Sequence, residues 1–405
     1  MTLMPPPPPS KPTEKSKNKP SGLMQTHLWH LCQAGFLTFS AASCKVSERM
    51  LPLCGCLKGR AMIYFQCDYA EGCHPRILER LTETNLEQTP GYGMDPHCER
   101  ARNLIRLACG DENADVHFLV GGTQANTTVI ASILRPHQGA LCADTGHINC
   151  HETGAIEATG HKVLPLPNTD GTITGDQVRA YCRAHWDDSS HEHTVQPGLV
   201  YISYPTESGT LYTKQQLLDL RAACREWELP LFIDGARLGY GLTSPACDIT
   251  LPELASLCDV FYIGGTKCGA LFGEAVVITG AALKRDFRYA IKQHGGMLAK
   301  GRLLGIQFET LFEDGLYFEI CKQAVDYALE IRRAFEARGI PMFGTSATNQ
   351  QFAILTAEQQ AAFAGQFASE YWGDAGDGRS IVRFCTSWAT TRENVDALLK
   401  VINTL

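Results

Sequence analysis

One lysine stands in a segment where this residue type is uncommon. Lys267 follows an apolar run at 260–263 and a Gly-Gly-Thr turn at 264–266. Burial at a strand end and nearby positive charge lower the pKa of a lysine, and the resulting neutral amine can attack a carbonyl carbon. A lysine more often reaches into solvent. The segment therefore predicts a nucleophile, provided that other residues of the fold support that chemistry.

An acidic residue supplies the first support. Asp234 ends the apolar run 231–233 and precedes Gly235, so we expect its carboxylate in the crevice at the strand end. A carboxylate there can pair with a protonated ring nitrogen, which keeps a heteroaromatic ring electron-poor. The alternative is an Asp that caps the next turn, and this residue by itself leaves both interpretations open.

A turn suited to an anion supplies the second support. The segment 121–124 (Gly-Gly-Thr-Gln) joins the apolar run 116–120 to a helical pattern, and backbone N–H groups at a helix N-terminus bind phosphate. Many such turns bind nothing. In chain order, however, a phosphate turn, a ring partner and a lysine one strand later predict an enzyme that carries pyridoxal 5'-phosphate on Lys267.

A histidine follows another apolar run. His147 comes after residues 140–143 and could stack on a cofactor ring or act as a general base. His151 and Glu152 lie at helical spacing from it, which raises the alternative of a metal site. The spacing does not match the His-Glu-x-x-His pattern, and no third ligand is evident. We therefore predict no metal.

The elements that must position these residues alternate from residue 116 onward. Strands are predicted at 116–120, 140–143, 162–166, 199–204, 231–233, 260–263 and 275–279, and helices near 124–134, 150–159, 175–185, 213–228 and 281–293. Apolar strands separated by helices predict an α/β fold with a mostly parallel, seven-stranded sheet. Ligands bind at the carboxyl ends of such strands. A helical zone at 303–338, strands at 351–355 and 381–385 and a helix at 392–403 predict a smaller α+β C-terminal domain.

Composition sets the broad class. A net charge of −7 on 405 residues argues against a nucleic-acid surface, which would show a basic excess. The 17 cysteines are scattered and lack paired zinc spacing, which favours reduced thiols in the cytoplasm. Residues 1–60 open with a proline run and a Lys- and Ser-rich stretch, so we expect a disordered, dispensable extension. Gln and His interrupt its apolar part too often for a targeting segment or a membrane span.

From about Met62 to Leu405 the chain resembles the threonine aldolase/β-eliminating lyase family. Six motifs carry the resemblance together: 68–75, 92–96, 122–126, 146–148, 233–237 and 265–267. The resemblance implies a fold-type-I pyridoxal-phosphate enzyme with a large cofactor domain at 61–300, including an N-terminal segment at 61–115, and a small domain at 301–405. It also implies a homodimer or homotetramer with shared active sites.

The resemblance implies a role for each cofactor residue. Lys267 binds the cofactor covalently, Asp234 pairs with the pyridine nitrogen, and His147 stacks on the ring and moves a hydroxyl proton, directly or through a water. The phosphate group is held by Gly122, Thr123 and Gln124.

The remaining roles concern the substrate and the subunits. Arg237 and Arg383 would fix the α-carboxylate, a task suited to a bidentate guanidinium, and Arg237 would also contact the cofactor. Tyr92 and Lys300 would come from a neighbouring subunit, with Lys300 reaching the cofactor and Tyr92 the substrate. The alternatives are a surface ion pair for Arg383 and a packed aromatic for Tyr92.

The implied reaction is cleavage of the Cα–Cβ bond of β-hydroxy-L-amino acids, which gives glycine and an aldehyde. The alternatives are β-elimination or another fold-type-I reaction on amino acids, and a non-catalytic protein that keeps the fold. Three segments depart from the aldolase pattern: Cys-Asp-Tyr at 67–69, Thr-Lys-Cys at 266–268, and 206–210, where an Asn/His-rich loop is expected. They leave the identity of the amino acid open.

Overall fold

The computed structural model describes residues 62–405, so the extension expected at 1–60 lies outside the described residues. Twelve strands are numbered here in chain order. They are β1 Ile63–Tyr64, β2 Asp115–Leu119, β3 Gln138–Ala143, β4 Lys162–Leu166, β5 Gln196–Ser203, β6 Leu231–Asp234, β7 Val260–Gly264, β8 Glu274–Ile278, β9 Gln350–Leu355, β10 Phe367–Ala368, β11 Glu370–Gly376 and β12 Arg379–Cys385.

Fifteen α-helices of the described residues alternate with these strands. They are α1 Pro75–Glu83, α2 Pro96–Cys109, α3 Gly122–Ile133, α4 His147–Cys150, α5 Ala155–Ala158, α6 Gly175–Asp187, α7 Lys214–Glu226, α8 Leu238–Leu242, α9 Leu251–Leu257, α10 Ala281–Lys284, α11 Phe287–Gln293, α12 Arg302–Phe312, α13 Leu316–Ala337, α14 Ala357–Ala361 and α15 Arg392–Ile402.

The central sheet has seven strands in the order β2-β8-β7-β6-β5-β3-β4. The pairs from β7 through β6, β5 and β3 to β4 are parallel, whereas β8 runs antiparallel to both β7 and β2. The predicted mostly parallel sheet of seven strands is confirmed. The carboxyl ends of all its strands except β8 therefore meet at one edge.

Local sequence explains where several helices begin and break. Thr213 caps α7 in a capping box with Gln216, as the N-cap pattern predicts. The single helix expected at 150–159 is instead two short helices, because Thr153 and Gly154 have positive φ angles of 54° and 70°. The helix expected at 281–293 is likewise divided, at Asp286, whose φ is 61°.

The C-terminal part contains a three-stranded antiparallel sheet in the order β11-β12-β9. Its strands β9 and β12 were predicted, and β11 was not. A separate pairing joins β1 to β10, so that the first described strand lies with the C-terminal elements. Of the helices in residues 62–405, none has the length and apolar character that crossing a bilayer requires.

Buried apolar side chains form two hydrophobic cores around the large sheet. A third, smaller core surrounds the C-terminal sheet. The long helix α13 contributes to one of the first two cores, through Leu316 and Val325, and to the smaller core, through Ile331 and Phe335. The division into domains at 61–300 and 301–405 stays a prediction. We propose that the boundary lies within α13 and that Phe65, which packs in the smaller core, belongs to the C-terminal domain.

Candidate active site

A cavity of about 250 Å³ opens at the edge of the large sheet where the parallel strands end. Loops after β2, β3, β5, β6 and β7 supply its walls. Six of the residues predicted to form the site line it together: Gly122, Thr123, His147, Asp234, Arg237 and Lys267. The chain thus brings to one place side chains that are up to 145 positions apart, as expected for a ligand site at the carboxyl ends of parallel strands.

Lys267 is placed by a tight turn after β7. The Gly265 N–H donates to the Gly273 carbonyl over 3.0 Å, and a Cβ at Gly265 would lie 2.6 Å from that oxygen, so only glycine fits. The Tyr240 hydroxyl donates to the Lys267 carbonyl at 2.5 Å. Burial first, and then the charge of Arg237, lower the pKa of the Lys267 amine, which favours the neutral, nucleophilic form.

Asp234 is buried at the end of β6 and well supplied with donors. Its carboxylate accepts from the Tyr201 hydroxyl at 2.5 Å, from the Asn126 amide at 3.2 Å and from the Ala236 N–H at 3.0 Å. Burial alone would raise the pKa of Asp234, but the positive charge of His147 and these hydrogen bonds outweigh it and leave the pKa below its ordinary value. The carboxylate is therefore kept ionised, as a partner for a cationic ring nitrogen must be.

The helix α3 begins at the cavity without a side-chain cap on Gly121. Its first intrahelical bond runs from the Ala125 N–H to the Gly121 carbonyl at 3.0 Å. The N–H groups of residues 122–124 consequently have no partner within the helix. Together with the helix dipole they form a site for an anion such as a phosphate group.

His147 lies at the start of α4, and a buried carboxylate fixes its ring. Nδ1 lies 2.8 Å from Oε1 of Glu152, and the Asn126 amide donates to the same oxygen at 2.7 Å. Burial lowers the pKa of His147, but the bond to Glu152 and the charge of Asp234 raise it by more, so the pKa lies above its ordinary value. These neighbours therefore favour the protonated form of the ring. Within residues 62–405, no three potential metal ligands converge.

The two arginines predicted to bind a carboxylate differ in their surroundings. Arg237 forms a bidentate pair with buried Asp68, with Nε–Oδ2 and Nη2–Oδ1 distances of 2.6 and 3.0 Å. Arg383 donates to the Gln350 side chain at 3.1 Å and to the Gln66 carbonyl at 2.9 Å. Its Nε is buried and without a partner among the described residues. Arg237 lines the cavity, whereas Arg383, on β12, is not among its lining residues.

The side chains of three further predicted residues do not line the cavity. The Gln124 side chain points away from the cavity, since its Oε1 accepts from the Val120 N–H at 3.1 Å and its Nε2 donates to the His294 carbonyl at 2.9 Å. Only its backbone N–H remains for a phosphate. Tyr92 is 49% exposed and lines a different pocket, and Lys300 is exposed. One chain therefore does not bring these two side chains to Lys267.

Two carboxylates in the cavity wall were not predicted. Glu274 starts β8, accepts from the Gly265 N–H at 3.0 Å, and has a pKa that burial raises to about 8. Glu207 follows β5 and accepts from the His147 N–H at 2.9 Å and from the Ser203 hydroxyl at 2.6 Å. Only the departure of 206–210 from the aldolase pattern pointed to Glu207, and no sequence signal pointed to Glu274.

These groups fit pyridoxal 5'-phosphate. The free N–H groups of α3 match its phosphate, the ionised carboxylate of Asp234 matches its protonated pyridine nitrogen, and the Lys267 amine matches its aldehyde. All three belong to one cavity wall.

Comparison with known proteins agrees with this geometry. Residues 68–362 match the family described as β-eliminating lyase. The chain belongs to that family. A solved structure of the Leishmania major threonine aldolase is 44% identical, with a TM-score of 0.82, and the match covers 84% of this chain and 99% of that one. The low specificity L-threonine aldolase of Pseudomonas aeruginosa is 27% identical over 341 residues, 84% of this chain and 96% of that enzyme.

A more distant structure shows the breadth of the fold. The serine palmitoyltransferase of Sphingomonas wittichii is 12% identical, with a TM-score of 0.64, over 86% of this chain and 88% of that one. The expected fold class and the resemblance are both confirmed. Membership of the family makes this chain a pyridoxal-phosphate-dependent lyase whose small-molecule substrate is an amino acid.

Proposed function

We propose that this lyase cleaves the Cα–Cβ bond of β-hydroxy-L-amino acids and releases glycine and an aldehyde. The observation that carries the proposal is the convergence of Lys267, Asp234 and the N-terminus of α3 on one cavity. This chain matches the threonine aldolases of Leishmania major and Pseudomonas aeruginosa over 99% and 96% of their lengths. This similarity supports the same reaction here.

Each residue at the cofactor has a separate task. The Lys267 amine would hold the cofactor covalently, Asp234 would keep the proton on its ring nitrogen, and His147 would pack against its ring. Bound in this way, pyridoxal phosphate supplies an electron sink for the bond that breaks at Cα. Gly122 and Thr123 hold the phosphate through backbone N–H groups, and Gln124 does so through its backbone alone.

Substrate orientation is assigned to the arginines. Arg237 is aligned by Asp68, which itself accepts from the Asn349 amide at 2.9 Å. A fixed guanidinium orients an α-carboxylate and so decides which bond at Cα stands perpendicular to the cofactor ring. Arg383, with a buried and unpartnered Nε, is the second candidate for this carboxylate.

The proposed oligomeric state rests on two exposed side chains, and the proposed cellular compartment rests on the free thiols. Tyr92 and Lys300 are exposed in a single chain, as residues that complete a neighbouring subunit's site would be, and this supports a homodimer or homotetramer. Every cysteine of residues 62–405 is a free thiol, which supports a reducing compartment such as the cytoplasm.

The products decide between the reactions open to this family. The purified holoenzyme is incubated with L-threonine, L-allo-threonine, L-phenylserine and L-serine, and the products are identified. Glycine with an aldehyde supports the proposal. Ammonia with a keto acid would establish β-elimination instead, and the absence of an absorption band abolished by borohydride would contradict a covalently held cofactor.

A further inference from the structure

A second cavity of about 520 Å³ lies beside the cofactor cavity. Its walls include the aromatic side chains of Phe343, Tyr371 and Trp372. Glu207 is the one described residue that borders both cavities. A substrate with Cα in the first cavity and a β-substituent in the second would therefore place Cβ and its hydroxyl beside Glu207.

The Glu207 carboxylate is oriented by one of its two oxygens. Oε1 accepts from the His147 N–H and from the Ser203 hydroxyl, and within residues 62–405 no group donates to Oε2. The backbone around it is a closed turn, because the Thr206 N–H donates to the Thr210 carbonyl at 3.0 Å and the Gly209 N–H donates to the Thr206 carbonyl at 2.9 Å. Oε2 is thus a positioned acceptor.

The charges nearby favour Glu207 over His147 as a base. Burial, and then the charge of Asp234, raise the pKa of Glu207, although Ser203 and His147 oppose the shift. A carboxylate with a raised pKa is a stronger base. His147, in contrast, has its Nδ1 engaged by Glu152 at 2.8 Å, and its raised pKa favours the protonated ring, which has no lone pair with which to accept a proton.

From this geometry we propose that Glu207 is the catalytic base that removes the β-hydroxyl proton, a role that rests on the proposed aldolase function. The proton passes to Oε2, and the O–H electron pair forms the carbonyl bond of the aldehyde. The Cα–Cβ pair stays on Cα and then takes up a proton, which gives glycine. Glu207 then releases its proton. The reaction as a whole therefore neither consumes nor produces a proton, because the one lost from the hydroxyl is matched by the one gained at Cα.

Two reactions of the same holoenzyme separate this role from a structural one. Cleavage of L-threonine and L-phenylserine requires loss of the hydroxyl proton, whereas exchange of the glycine α-proton with deuterium from solvent involves no hydroxyl. For Glu207→Gln we expect kcat/KM for cleavage to fall by about 10²–10⁴-fold, and glycine exchange, followed by NMR, to fall far less. Glu207→Asp, which keeps a carboxylate, should recover part of the cleavage.

A matched control is available outside both cavities. Glu358 is exposed and lines neither of them, so Glu358→Gln should leave both reactions near their wild-type rates. Cleavage by Glu207→Gln at the wild-type rate would overturn the inference, and so would an equal fall in both reactions. A wild-type enzyme that releases no glycine would instead refute the proposed function, and this would be evident before any variant is measured.

Discussion

At the scale of single residues, burial in one cavity keeps two neighbouring groups in the forms that the chemistry needs. Asp234 ends β6 and Lys267 follows the neighbouring strand β7, and the pKa of each lies below its ordinary value. For the lysine, desolvation dominates and favours the neutral amine. For the aspartate, hydrogen bonds and the charge of His147 overcome desolvation and favour the anion. One buried cavity therefore holds Lys267 as a nucleophile and Asp234 as a negatively charged partner.

The Lys267→Ala variant tests the covalent role. We expect it to fold, because the side chain makes no hydrogen bond to another described residue, and to lose turnover by at least about 10³-fold, as expected when a covalent catalyst is removed. The visible band that borohydride abolishes should disappear. Circular dichroism serves as the control for folding, and a variant with normal turnover would contradict the assignment.

Glu274 predicts a dependence of stability on pH. Its pKa is about 8 in the folded protein against an ordinary value of 4.5. Between these pH values the folded state keeps a proton that the unfolded state has lost, so stability present below about pH 4.5 is lost as the pH rises through 8. In Glu274→Gln this loss is absent. The Tm of the variant relative to the wild type should therefore rise between pH 5 and pH 9; parallel Tm curves would contradict the raised pKa.

At the scale of elements, the N-terminus of α3 should govern cofactor affinity. A Cβ at Gly122 would lie 3.0 Å from the Tyr262 hydroxyl, so the larger side chain of Gly122→Val must displace that ring or the first turn of the helix. We expect the Kd for pyridoxal phosphate to rise by about 10-fold or more, about 1.4 kcal/mol, in a spectroscopic titration. A Cβ at Gly121 meets open space, and Gly121→Ala should have a smaller effect.

The elements show what sequence reasoning could and could not reach. Apolar runs located all seven strands of the large sheet, because strands buried on both faces are almost continuously hydrophobic. The strand β11 was missed because its residues, from Glu370 to Gly376, are all at least partly exposed and form no continuous apolar run. The break between α4 and α5 was missed because Thr153, a β-branched residue, gives no warning of a positive φ.

The same limit applies to the candidate site. Residues at or just after the end of an apolar strand, such as Asp234 and Lys267, could be predicted because the strand end fixes their place. Glu274 appears in the sequence as an ordinary charged residue, Glu207 only as part of a segment that departs from the aldolase pattern, and Glu152 only as a possible metal ligand. Their importance arises from burial and from partners distant in the chain, such as Asn126 for Glu152, and tertiary packing alone creates that environment.

At the scale of the whole molecule, the proposed sharing of active sites between subunits predicts complementation between inactive variants. If Tyr92 completes the site of a neighbouring subunit, Tyr92→Ala and Lys267→Ala should each be inactive, yet a mixture that exchanges subunits should regain activity. Random pairing of equal amounts makes half of the dimers mixed, each with one intact site, so about a quarter of wild-type activity is expected.

The controls for this experiment are the two separate variants and a mixture in which subunit exchange is blocked by chemical cross-linking. A mixture no more active than its components would show that each chain completes its own site. Full activity of Tyr92→Ala alone would remove Tyr92 from the site altogether.

The residues that follow β1 limit how far the chain can be shortened from its N-terminal side. The Phe65 N–H donates to the Ala368 carbonyl at 2.8 Å, and the Cys385 N–H donates to the Phe65 carbonyl at 2.7 Å. The next carbonyl, that of Gln66, receives Arg383. A start codon or protease site placed after Gln66 would therefore leave a guanidinium without its anchor, whereas a purification tag fused ahead of Met62 would leave these bonds in place.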